Sequence, residues 1–84
     1  MRVYFITFRS VTTAQRAESV LRQGGIHCTL QRTPRWMEEQ GCGYCLRIRG
    51  VDLPATLALL RQRKIGFRKT YIQHPGGEVE ALES

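Results

Sequence analysis

The sequence predicts a small α+β domain of βαββαβ order, with a four-stranded antiparallel sheet and both helices on one face. Three observations predict it. Two segments in the middle of the chain alternate apolar and polar residues with period two, and β-rich runs stand near each end. Two other segments repeat apolar residues at helical spacing, each bracketed by capping and stopping residues. The six segments follow one another as strand, helix, strand, strand, helix, strand.

Arg2–Phe8 (RVYFITF) is aromatic and β-branched with no breaker. Val3, Tyr4, Phe5 and Ile6 leave neither face polar, which marks a central strand. Ser10–Thr13 offers N-cap candidates, and Thr12 followed by Gln15 fits a capping box. Ala14, Ala17, Val20 and Leu21 share one helical face, and Gly24-Gly25 stops the helix. Small alanines on that face let the helix sit close to a sheet.

Ile26–Arg32 alternates, with Ile26, Cys28 and Leu30 on one side and His27, Thr29 and Gln31 on the other. Residues 33–41 form a connection long for a hairpin, the kind that carries function. Gly43–Arg49 alternates again: Tyr44, Leu46 and Ile48 face one way, Cys45, Arg47 and Arg49 the other. Asp52 is an N-cap candidate with Pro54 in the first turn of a second helix, Leu53–Lys64. Leu53, Leu57 and Leu60 mark its apolar face, and Gly66 is the expected terminator. Phe67–Gln73 is the last strand, broken by Pro75-Gly76-Gly77. The domain is thus expected to span residues 1–74, with residues 75–84 an acidic tail that frays.

Two βαβ units with right-handed crossovers give the ferredoxin-like arrangement, with the first and third strands side by side in the centre. Taken as parallel to the first strand, the third starts beside Met1 and Arg2. The last strand then ends, at Gln73–His74, on the same edge. In that reading Cys42 and His74 share one end of the sheet, and the helix N-termini lie at the other.

Composition bounds the function. A chain of 84 residues makes one domain with a small core. No apolar run approaches the roughly 20 residues of a membrane span. The start lacks the apolar region and cleavage site of a signal peptide, so a cytosolic chain with reduced thiols is expected. Three cysteines argue against a disulfide framework. All 13 Lys and Arg lie within the first 74 residues; against four acidic side chains there, they leave the body at +9. Glu78, Glu80 and Glu83 make the tail −3. Such a body attracts phosphates, nucleic acid or an acidic partner, or is simply a solvated Arg-rich surface.

The chemistry-bearing stretch is Thr33–Ile48, TPRWMEEQGCGYCLRI. Cys42 stands where loop becomes strand, between Gly41 and Gly43, so that a partner can approach closely. Arg35, Arg47 and Arg49 are candidate counter-charges that favour its thiolate. Cys42 and Cys45 form a CxxC, but one that opens a strand rather than a helix. Strand residues three apart point to opposite faces with Cα atoms about 10 Å apart, too far for a disulfide, so the alternative of a CxxC thiol-redox module requires Cys42 to sit in the turn. A zinc set from His27, Cys28, Cys42 and Cys45 is weak, because adjacent strand residues face opposite ways. No metal or other cofactor is expected. Glu38 and Glu39 read as solvated, and there is no Ser-His-Asp set, phosphate loop or dinucleotide fingerprint.

The rival reading from another class is RNA binding. RNA-recognition modules share this fold and carry a basic-Gly-aromatic-Gly-aromatic rhythm on the third strand. Gly41-Cys42-Gly43-Tyr44 follows that rhythm, but Cys42 replaces a stacking aromatic and Arg47 the last one. Trp36 would be either a stacking platform or an anchor that packs the loop; the anchor is the simpler role.

The chain resembles a small bacterial family of selenium/sulfur carrier-like proteins, whose domains also occur beside sulfur-carrier domains of the TusA type. The resemblance runs from about Arg2 to His74. It rests on Phe8 and Ser10 after the first strand, then Ala14, Ala17 and Glu18 on the helix. Leu21, Gly25 and Ile26 follow at the helix exit. Its distinctive part is the Thr33-Pro34-Arg35 turn paired with Cys42-Gly43. Arg32 stands where the family has a first Pro, Trp36–Gln40 replaces small polar residues, and Cys45 is an additional thiol. The resemblance implies a carrier rather than an enzyme, with Cys42 the acceptor thiol and Arg35 beside it. It implies as partner a cysteine desulfurase, a selenium-handling enzyme or another carrier.

Overall fold

The computed structural model describes residues 2–33 and 43–82. The elements are β1 (Val3–Thr7), α1 (Val11–Gln23), β2 (Cys28–Arg32), β3 (Tyr44–Arg49), α2 (Leu53–Gln62), β4 (Thr70–Gln73) and β5 (Val79–Leu82). A single 3-10 turn, Gly50–Asp52, leads into α2. The chain is an α+β domain with two helices and a five-stranded sheet of order β2-β3-β1-β4-β5, antiparallel throughout.

The fifth strand corrects the expected count of four. Pro75-Gly76-Gly77 is not merely a breaker; it turns the chain back on β4. Gly77 takes φ +91°, a conformation glycine adopts without the Cβ clash. Its amide donates to the His74 carbonyl at 2.8 Å, and the His74 amide donates to Glu78 at 2.8 Å. Val79 then pairs with Gln73 and Leu82 with Thr70. A His74 Nε2–Glu80 Oε1 contact of 2.7 Å ties the hairpin together. Part of the segment expected to fray is therefore a strand.

The direction of β3 is the second correction. Thr7 pairs with Cys45 and Val3 with Arg49, so β1 and β3 are antiparallel. The reason is topological. The α1 crossover returns β2 parallel to β1, and the β2–β3 hairpin then reverses the chain. The start of β3 consequently lies at the Thr7 end, not beside Arg2, whereas β4 ends beside Val3. His74 and Gly43 are at opposite ends of the sheet. α1 begins at the Gly43 end and α2 at the other, so the helix N-termini do not share an end.

Alternation along the strands builds one face for the helices. Ile6, Phe8, Leu46, Ile48 and Cys28 pack there against Ala14, Ala17 and Leu21 of α1 and Leu60 of α2. Ala14 and Ala17 are wholly buried; their small size permits the close approach. Each fully buried Leu, Ile or Phe contributes about 1.5–3 kcal/mol. The other face carries a smaller cluster, Phe5, Cys45 and Tyr71, with Val3 and Val79 against it.

Local signals shift by a residue or two. Ser10, not Thr12, caps α1: its Oγ accepts from the Thr13 amide at 3.1 Å and meets the Thr13 hydroxyl at 2.8 Å. α2 stops at Gln62, and the residue that terminates it is Lys64, with φ +57°, rather than Gly66. Asp52 makes no side-chain cap bond and instead accepts from Arg49 Nε at 3.2 Å. Thr56, not a leucine, shares full burial with Leu60 on α2. β4 is shorter than expected because Arg68 and Lys69 together oppose Thr7. The Arg68 amide donates to the Thr7 carbonyl at 2.8 Å, and the Thr7 amide donates to Lys69 O at 2.9 Å. Two residues against one end the ladder in the manner of a bulge.

Candidate functional site

Of the sequence-predicted site residues, Pro34, Arg35, Trp36 and Cys42 lie outside the described residues. Gly43, Cys45, Arg47 and Arg49 lie within them, and the structure does not gather these four in one place.

Gly43 marks the base of the loop. Its φ is +83°, the left-handed region in which a Cβ is strained. Its carbonyl accepts from the Thr33 amide at 2.9 Å. The two chain ends that bound residues 34–42 are thereby held together as the continuation of the β2–β3 ladder. The next rung pairs Arg32 with Tyr44, and the Arg32 guanidinium stands 5.8 Å from the Tyr44 ring centroid, a cation–π distance. Thr7 closes the adjoining strand at this end: its hydroxyl oxygen accepts from the Lys69 amide at 3.1 Å.

The cationic residues at this end include Arg32, Arg68 and Lys69, with Arg9 two residues past Thr7. Sequence reasoning missed Arg68 and Lys69 because it assigned β3 the wrong direction. For Arg32 the signal was present in the hairpin itself: two strands joined across residues 33–43 place Arg32 opposite Tyr44.

Arg47 and Arg49 go elsewhere. Arg47 faces Phe5 on one side and Thr29 on the other; Arg49 faces Val3. Six residues of strand put Arg49 about 20 Å from Gly43 at ~3.3 Å per residue. Arg49 is also paired with Asp52 at 3.2 Å. It does not serve as a counter-charge at the start of β3.

Cys45 is wholly buried among Phe5 and Tyr71, opposite Thr7. Its neighbours Leu46 and Tyr44 point to the helix face, as the alternation required. Cys28 is buried on that helix face, 6% exposed, with its Sγ 3.9 Å from the Glu18 carbonyl. Burial pushes the Cys28 thiol up, opposed in part by the charge of Arg22. A thiol held protonated and covered is a poor nucleophile. His27 is exposed while Cys28 is buried, so the two do not converge on one ion.

Phe5 and Tyr71 are each only 6% exposed. Among the described residues, these aromatic side chains of the helix-free face are thus inside the protein, not presented to solvent as bases would require for stacking. Among the described residues no helix is long and apolar enough to cross a membrane.

A family model described as "Putative Se/S carrier protein-like" matches residues 3–72. The match takes in the chain from β1 to within β4, and the protein belongs to that family. No curated protein and no solved structure matches the chain significantly.

Proposed function

We propose, from membership in this family, that the protein is a sulfur or selenium carrier that holds the atom on Cys42. The observation that carries the reading is the pairing of that membership with Gly43. The residue after Cys42 is a positive-φ glycine that pins the loop base to Thr33. Such a junction supports a thiol presented at a strand end, where a partner's own thiol can reach it. The other two cysteines are buried, which supports assigning the cargo to the third. We read the scaffold as a ferredoxin-like βαββαβ core with β5 added at one edge.

The transfer is a thiol exchange. The Cys42 thiolate attacks the outer sulfur of a donor persulfide; the inner S–S bond breaks, and the donor leaves as a thiolate. Cys42 is then the persulfide, and the same reaction in reverse order delivers the atom to an acceptor thiolate. A selenium atom bound to a donor sulfur would pass in the same way. Arg35, and Arg32 at the adjoining rung, would favour the thiolate over the thiol. The donor would be a cysteine desulfurase or a selenium-handling protein, and no resident cofactor is needed for the step.

The test is loading by a desulfurase supplied with free cysteine. Cys42→Ser should abolish the gain of a sulfur atom, and Cys28→Ala and Cys45→Ala should retain it. Loading that survives in Cys42→Ser would refute the assignment.

A further inference from the structure

A groove of about 730 Å³ opens at the end of the sheet away from Gly43, around the start of β2 and the end of β3. We propose that this groove binds a small phosphate-bearing anion.

Its walls carry Arg22, His27, Arg47 and Arg49, with Val3 and Thr29 between them. No acidic side chain and no Phe, Tyr or Trp lines it among the described residues. Arg47 and Arg49, two apart on β3, project from the helix-free face. Thr29 is directly opposite Arg47 on β2; short and exposed, it leaves the Arg47 guanidinium uncovered. Arg47 has no ion-pair partner among the described residues.

Arg22 enters from the last turn of α1. One guanidinium nitrogen donates to the Cys28 carbonyl at 3.1 Å and to Glu18 at 3.3 Å. Arg49 is held by Asp52. These exposed pairs are worth little in stability, but they restrain two of the three guanidinium groups and leave their remaining N–H donors to a ligand.

Three planar forks line this one concavity, Arg22 from the helix side of the β2 edge and Arg47 and Arg49 from the other, and suit the several oxygens of a phosphate or pyrophosphate group. The volume lies within the roughly 300–1,000 Å³ of small-molecule sites. Single-stranded nucleic acid is disfavoured, because it needs several stacking faces as well as charge, and the groove offers only the His27 ring while Phe5 and Tyr71 are buried. The proposal does not rest on the carrier reading, since the groove is at the opposite end of the sheet from the loop.

The test is titration of the purified protein with pyrophosphate, followed by amide chemical shifts and calorimetry. A short single-stranded RNA serves as the phosphodiester arm. The expected result is saturable pyrophosphate binding with shifts concentrated at His27, Thr29, Arg47 and Arg49. Affinity should fall by about tenfold or more in Arg47→Gln/Arg49→Gln. It should stay within about twofold in Arg61→Gln/Arg63→Gln, which removes the same charge from the exposed end of α2. Equal losses in both double variants, or shifts spread over all surface arginines, would overturn the proposal. So would an RNA that binds the groove more tightly than pyrophosphate with a steep salt dependence.

Discussion

Cys45 sits directly across the antiparallel ladder from Thr7, and that one pairing decides which end of the sheet presents the loop. It puts Gly43 and the bulge at Arg68–Lys69 at one end of the sheet, on either side of β1, and Arg49 at the far end. It also puts Cys45 in the interior, in one cluster with Phe5 and Tyr71.

Thiol reactivity should follow this placement. Under native conditions a small alkylating reagent should modify one thiol per chain, Cys42, whereas denatured protein should take up three. Cys28 and Cys45 are 6% and 0% exposed, and Cys28 is further protected by its raised pKa. Rapid native labelling at Cys28 or Cys45, read by peptide mass mapping, would contradict the burial described.

The same shift has a pH signature. A thiol whose folded pKa lies above its ordinary value near 9 binds its proton more tightly when folded. Its contribution to stability is intact below pH 9 and is lost as pH rises through the folded value. Wild type should therefore lose Tm above pH 9 more steeply than Cys28→Val, in which nothing at that position titrates. Parallel Tm–pH curves for the two proteins would show that Cys28 ionisation is not linked to folding.

Thr56 is wholly buried, and its hydroxyl has no hydrogen-bond partner among the described residues. Thr56→Val keeps the shape and removes the unsatisfied group, which should stabilise by about 1 kcal/mol. In a domain this small that raises Tm by roughly 4–8 °C. A fall in Tm would mean that the hydroxyl is satisfied in solution.

The two helices end alike. The Ile26 amide donates to Leu21 O and the Ile65 amide to Leu60 O, both at 2.9 Å. The left-handed residue before each isoleucine is Gly25 in one and Lys64 in the other, at φ +81° and +57°. Lys64→Gly should stabilise by about 1 kcal/mol and Gly25→Ala destabilise by a similar amount. Chemical denaturation with an unchanged m-value would check both. An unstable Lys64→Gly would show that the lysine side chain contributes more than its backbone strain.

The helices, the apolar faces and the central place of β1 and β3 were legible in the sequence because period and capping are local. Ala14, Ala17 and Leu21 on one face, and Leu46 with Ile48 against Cys45 with Arg47, needed only alternation and helical spacing. Strand direction is not local. It follows from the sum of two reversals, and an error there moved the loop to the Arg2 end of β1 and left Arg68 and Lys69 unnoticed. The Pro75–Gly77 signal was ambiguous for the same reason. Whether such a turn ends a sheet or begins another strand depends on the free edge of β4 that receives Val79–Leu82. At the candidate site, Gly43 could be singled out because a glycine after a cysteine at a strand start is a local feature. The groove at Arg22, Arg47 and Arg49 could not, because its walls come from α1, β2 and β3 together.

The most direct measurement of the central claim is site mapping of the transferred atom. After incubation with a desulfurase and cysteine, the protein is digested with trypsin. The peptide Trp36–Arg47, which holds both Cys42 and Cys45, is then fragmented. The account predicts one additional sulfur atom on the fragments containing Cys42 and none on those containing only Cys45. An unmodified peptide, or sulfur on Cys45, would contradict it.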